Sequence, residues 1–331
     1  MRPFKWLLSN QLKYSRTKQK GFTLIELLVG IALAFLIITP MLGFMINLLD
    51  NDRKEQAKAT TDQELKAALD YIARDLQQSV YIYDAEGIDN IRSQLPKSST
   101  DDKKKYFPVL VFWKRQYISG GLVVKTTTTK DADGKTSTST ENDDTFVYSL
   151  VAYYLINDGD TTWSKAARIG RFQISNGYGQ TDTDKQSTRD AGFQLFNLDD
   201  EGTLKTKMNK WTKKSSENYS QDILPLVDYI DQTTTDTTST TNQTPSCSTD
   251  YQIVPKFSGS GDSVATDNVK TRGFYVCVYS NNTVAEVYLR GNALARIQDT
   301  NIDFDQTSQN RKIYFPQSSI RVQGIGFLYT K

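Results

Sequence analysis

Histidine is absent from all 331 residues, and that absence removes more chemistry than any motif in the chain supplies. No Ser-His-Asp or Cys-His nucleophile can be assembled, no imidazole can serve as a general base, and no histidine can hold a metal. The two cysteines, Cys247 and Cys277, are too few for a cysteine-based structural zinc site. In an exported chain they could close a disulfide; the alternative is two free buried thiols, and the redox compartment decides between them. Neither a G-x-S-x-G elbow, a P-loop, G-x-G-x-x-G nor H-E-x-x-H occurs. Asp199, Asp200 and Glu201 are adjacent but read as a solvated loop, and nothing selects a glycosidase pair from the many acids. Asp131-Ala132-Asp133-Gly134 has the start of a calcium loop, yet the glycine comes too early and no glutamate closes it. It reads as a turn. The 18 tyrosines and 4 tryptophans could line a binding face, but strand propensity accounts for most of them. The expectation is a protein that is not an enzyme and uses no cofactor or metal.

One acid stands apart from the rest. Residues 21 to 49 read GFTLIELLVGIALAFLIITPMLGFMINLL, and Glu26 is the only charge in them. An apolar run of that length can cross a bilayer as a helix. Before it lie Arg2, Lys5, Lys13, Arg16, Lys18 and Lys20 with no acidic residue, so the N-terminus should stay cytoplasmic and everything after Asp50 should emerge on the far side. The run is too long for a cleaved secretory signal and lacks a small-residue exit. A plain signal anchor fits the length, but it gives no reason for a carboxylate in the first membrane turn. A charge at a helix centre costs about 2.5–3.5 kcal/mol on insertion scales, so such a residue usually has a partner. Pro40 and Gly43 lie further along, where proline should free the Leu36 carbonyl and loosen the helix.

The string Lys20-Gly21-Phe22-Thr23-Leu24-Ile25-Glu26 closely resembles the prepilin peptidase motif of type IV pilins and type II secretion pseudopilins. The resemblance implies cleavage between Gly21 and Phe22 by a prepilin peptidase, and N-methylation of Phe22. It also implies that Glu26 pairs with the N-terminal amine of a neighbouring subunit during assembly. The chemistry is consistent: glycine lets a protease approach the backbone, and a buried cation and carboxylate satisfy each other where either alone would be penalised. The implied partners are the peptidase, other pilin or pseudopilin subunits, an inner-membrane assembly platform and membrane lipid. The implied location is the inner (plasma) membrane, single-pass with the head periplasmic or extracellular, and then the pilus or pseudopilus.

The rest of the chain reads as the part this anchor carries. Leu65, Leu69, Ile72, Leu76 and Val80 recur every three or four residues and predict an amphipathic stem helix over 51–84, following a transmembrane helix over 22–50 and a cleaved basic leader over 1–21. Residues 85–331 form the exported head. Candidate strands are Tyr106–Trp113, Phe146–Asn157, Ala167–Ser175, Gly273–Tyr279, Val284–Arg290 and Ile320–Tyr329, with Ser280-Asn281-Asn282-Thr283 as a hairpin turn. The Thr/Ser/Asp-rich stretches 125–144 and 231–246 hold almost no apolar residues and are expected to be disordered inserts. Segment 176–230, with Phe193, Phe196, Trp211 and Leu224, has no legible periodicity. The fold class is therefore α+β: a long N-terminal helix packed on an antiparallel β-sheet head. A net charge of +2 gives no reason to expect nucleic acid. Size favours a low-copy minor pilin or pseudopilin supporting export or motility, resembling the J-type subunit of type II secretion, the W-type minor pilin, or the hormogonium polysaccharide secretion pseudopilins. The alternative is an adhesin or substrate-recognition subunit on the filament.

Overall fold

The computed structural model describes residues 21–177, 189–236, 238, 242–279, 281 and 283–326. The expected leader, 1–21, falls outside them except for Gly21. The chain divides into two units, one ending at Arg53 and one beginning at Lys54.

In the first unit, helix α1 (Leu24–Gln77) begins at Leu24 and passes without interruption through Pro40 and Gly43. Proline removes one backbone donor there, and the hydroxyl of the preceding Thr39 donates to the Phe35 carbonyl, one turn back, at 2.8 Å. The expected loosening at Pro40 is thus accommodated inside a helical backbone.

From Lys54 onward the same helix is the stem of the head. Its buried residues, among them Ala57, Thr61, Leu65, Ala68, Ile72 and Leu76, step by three and four along one face. The stem ends at Gln77, earlier than the predicted 84. Ser79–Ile82 instead forms strand β1, all four residues buried, and Val80 continues the apolar stripe as a strand residue. The reason is compositional: Val80, Tyr81 and Ile82 favour a pleated surface over another helical turn. Helix α2 (Ala85–Ile91) follows at once, capped by Asp84, whose side chain accepts from the Gly87 amide at 2.9 Å.

Two antiparallel sheets complete the head. The first has the order β1-β2-β3-β4-β5, with β2 Tyr106–Lys130, β3 Thr136–Ile156, β4 Ala167–Ser175 and β5 Leu224–Ile230. The second has the order β6-β7-β8-β9, with β6 Gln252–Val254, β7 Phe274–Tyr279, β8 Val284–Arg290 and β9 Gln317–Gln323. One core draws on the stem of α1 and on both sheets, including Leu65, Ile72, Phe112, Leu150, Val276 and Val287. The architecture, a long N-terminal apolar helix followed by antiparallel sheets, is α+β and pilin-like.

Three expectations change here. Segment 125–144 is not disordered: Lys125 pairs with Glu141, Thr126 with Thr140, Thr128 with Thr138 and Lys130 with Thr136, around a turn at Asp131–Gly134. Its side chains are exposed, so no apolar burial forms it; backbone pairing and β-branched threonine do. In segment 231–246 the described residues are also held. Asp231 accepts from the Thr233 amide at 2.9 Å, and the Asn242 amide group donates to the Thr233 and Thr234 carbonyls at 3.0 and 2.9 Å. Segment 176–230, for which the sequence offers no assignment, packs against the core through its described residues. Phe193, Phe196 and Trp211 meet the fully buried Trp113 edge-on at 5.9, 4.9 and 5.8 Å. The Trp113 Nε1 donates to the Tyr83 hydroxyl at 3.1 Å, which donates to the Met208 carbonyl at 3.0 Å in the short helix α3 (Leu204–Asn209). The last predicted strand is shorter than expected, and residues 327–329 of it lie outside the described ones.

Candidate functional site: the helix start and its apolar run

Gly21, Phe22 and Thr23 lie before the first helical residue, Leu24. Thr23 is placed to cap the helix: its hydroxyl accepts from the Glu26 amide at 3.3 Å and its carbonyl from the Leu27 amide at 3.1 Å. Thr-x-x-Glu is also the sequence of a capping box, and a carboxylate in the first turn opposes the positive end of the helix dipole. Glu26 therefore has a local helical role open to it as well as any role toward a partner. An added Cβ at Gly21 would touch nothing within 4 Å, so the small residue answers no packing need within this chain. Phe22 is 82% exposed.

The run that follows is exposed along its whole length. Leu24, Phe35, Leu36, Met41, Phe44 and Ile46 each present more than half of their surface, and no residue from 21 to 53 is buried. Soluble surfaces rarely carry an apolar patch larger than a few hundred Å². Leu24 to Leu49 is 26 residues, which at 1.5 Å per residue spans roughly 39 Å, enough for the hydrocarbon core of a bilayer. It is the one helix among the described residues that is long and apolar enough to span a membrane. The decisive observation is local. Residues 16–42 match the prokaryotic N-terminal methylation motif. That motif supports a type IV pilin-like, membrane-anchored chain, processed by a prepilin peptidase and built as a structural subunit. No curated protein and no solved structure matches the chain.

The other pair singled out in the sequence is brought together. Cys277, in β7, and Cys247, in the segment before β6, have their Cα atoms 5.8 Å apart with the sulfurs bonded. The bridge ties the 242–251 segment to the second sheet. Closing a loop of 30 residues should contribute about 2–4 kcal/mol. Reduction with a thiol should therefore lower the thermal midpoint of the head by several degrees; an unchanged midpoint would show that the bridge carries no stability.

Sequence reasoning missed the polar groups that seat the head on its stem. Asp75, in the last turn of α1, accepts from Lys114 Nζ of β2 at 2.8 Å, the Tyr153 hydroxyl of β3 at 2.7 Å and Arg171 Nε of β4 at 2.8 Å. Burial alone would raise the Asp75 pKa, but Arg171, Lys114 and Tyr153 together hold the carboxyl below the usual carboxylate range. The signal is there in the sequence: an acid between Ile72 and Leu76 on the buried face of an amphipathic helix needs a partner. A second buried pair joins Asp231 to Arg290 Nε at 2.5 Å, with Arg290 Nη2 donating to Asn242 Oδ1 at 2.9 Å. Gly273 makes this pair possible, because a Cβ there would lie 2.1 Å from the Asp231 carbonyl oxygen. A third is the two-pronged contact of Arg168 with Asp158 at 2.8 and 2.6 Å. Against the cost of burial, that contact draws the carboxyl down to about 2. These networks look inward and hold the fold. Among the described residues no three His, Cys, Asp or Glu side chains are grouped to hold a metal ion.

Proposed function

We propose that the chain is a minor pilin or pseudopilin, a low-copy structural subunit of a type IV pilus-like or type II secretion-like filament. Cleavage after Gly21 removes the basic leader, Phe22 becomes the N-methylated terminus, and residues 22–50 first span the membrane and then enter the filament core. Glu26 neutralises the terminal amine of a neighbouring subunit. Residues 51–77 and the two-sheet head lie outside the cytoplasm. The observation that carries the reading is a fully exposed apolar run, Leu24–Leu49, whose only acid sits in the first turn of the helix, inside the matched motif. The size of the head, with a β2–β3 ribbon reaching Asp131–Gly134, suits a subunit used sparingly rather than one repeated along a shaft.

Mass spectrometry of the protein from its native membrane tests this reading. The expected N-terminus is N-methylated Phe22; an intact leader beginning at Met1 would overturn the assignment. Replacing Gly21 with valine should leave the leader attached, because the peptidase would meet a branched side chain where only a hydrogen now stands.

A further inference from the structure

The head carries a cleft that the filament reading does not use. On the face of the second sheet away from the core, Tyr275, Tyr288 and Ser319 stand in register across β7, β8 and β9. With Arg272, Arg290, Gln317 and Ser318 they line a depression of ≈ 320 Å³. That volume lies at the lower end of the range of small-molecule sites. The rings of Tyr275 and Tyr288 are parallel, 3° apart in plane and 4.7 Å between centroids, so the buried Tyr275 backs and fixes the half-buried Tyr288.

The charge in this cleft is unbalanced. Arg290 is paired with Asp231 and donates to Asn242. Arg272 has no carboxylate within ion-pair distance among the described residues; its Nη1 reaches only the Gln243 carbonyl, at 3.5 Å. Glu286, two residues before Tyr288 on β8, is occupied by the Tyr288 hydroxyl at 3.0 Å and by Arg321 at 3.7 Å. A planar guanidinium beside a second arginine, with no acid of its own, is arranged to receive an anionic oxygen group in two-pronged fashion. The remaining wall consists of hydroxyl and amide side chains from Ser318, Ser319 and Gln317, while the one aliphatic lining residue, Leu289, is itself buried. Such a lining matches the hydroxyls of a sugar ring; an acidic peptide would also bring apolar side chains, for which the cleft has no pocket.

We propose that this cleft binds an acidic saccharide of the uronate class, with its carboxylate on Arg272 and its ring against Tyr288, which Tyr275 backs. The site belongs to the head alone and stands or falls independently of processing at Gly21.

Calorimetric titration of the full chain in detergent, using galacturonate oligomers, provides the test. Saturable binding is expected, at least tenfold tighter than for neutral galactose oligomers of the same length, and weakening as salt rises. Arg272→Gln and Tyr288→Leu should each reduce affinity at least tenfold, with the thermal midpoint of the Arg272→Gln chain serving as the control for folding. Equal affinity for charged and neutral oligomers, or unchanged binding by Arg272→Gln, would overturn the proposal. So would preferential binding of a polyglutamate peptide, or no binding of the uronate by the folded wild-type chain.

Discussion

Replacing Asp75 with alanine should lower the unfolding free energy of the head by about 3–5 kcal/mol, because it strands Lys114 and Arg171 without their shared counter-charge. The cluster is shielded from solvent: the Asp75 and Lys114 side chains are each 9% exposed. Loss of a charge from a buried cluster costs more than the cluster contributes when intact, since the remaining charges must be desolvated alone. Asp75→Asn would preserve the size of the side chain and part of its hydrogen bonding but not the charge, so its effect should be smaller than that of alanine. Urea titration of wild type and both variants decides the matter; a loss below about 1 kcal/mol for alanine would mean that water or a shifted side chain replaces the carboxylate. The same group gives a pH signature. Its folded pKa is depressed, so its contribution is complete above the unfolded carboxyl value of 3.8 and is lost as pH falls through the lower folded value. Asp158, drawn down to about 2, acts in the same direction between 3.8 and about 2. Acid unfolding of the wild type should begin below about pH 4, and the Asp75→Ala variant should show a shallower dependence there.

Glu26→Ala should insert and be cleaved normally yet fail to enter filaments. The first-turn cap does not depend on its side chain, since Thr23 still accepts from the backbone amide of residue 26, so the helix should start as before. On the proposed pairing, what changes is the partner offered to a charged amine placed in an apolar filament core. Leaving that amine unpaired costs about 3–5 kcal/mol, which corresponds to roughly 10²–10⁴-fold less incorporation. The comparison is the ratio of subunit in sheared filaments to subunit in the membrane, measured alongside the N-terminal peptide to verify cleavage. Wild-type incorporation of a cleaved Glu26→Ala chain would reduce Glu26 to a helix-dipole residue.

The residues legible in the sequence are those whose meaning is local. Lys20, Gly21, Phe22 and Glu26 fall within seven consecutive positions, and the apolar run behind them needs no tertiary knowledge. Strands β4 and β8 are readable to the residue because their apolar and aromatic side chains pair with one face of the core. That Asp75 needs a partner is readable, but the partners are not: they lie 39, 78 and 96 positions away, and only the sheet order brings them to one carboxylate. The β2–β3 ribbon misleads for a different reason. Low apolar content argues against a buried core but says nothing about backbone pairing, and a hairpin already held at Tyr106–Trp113 can extend outward on hydrogen bonds and β-branched side chains alone. The cleft at Arg272 also escapes sequence reading, because an unbalanced charge is visible only once the acids that might balance it have been placed.

The attachment of the stem at Asp75 also decides how the head carries mechanical load. Strand β1 follows the helix directly and meets β2 through three register pairs interrupted by a bulge, a contact that tension on the helix could peel open one bond at a time. Asp75 lies before that junction and is tied to β2, β3 and β4 together, so a pull along the stem reaches three strands in parallel before β1 is strained. In an optical trap, Asp75→Ala should lower the force at which the head opens by more than its loss of equilibrium stability alone would suggest. A filament subunit hauled by its helix would thereby keep its head folded under tension.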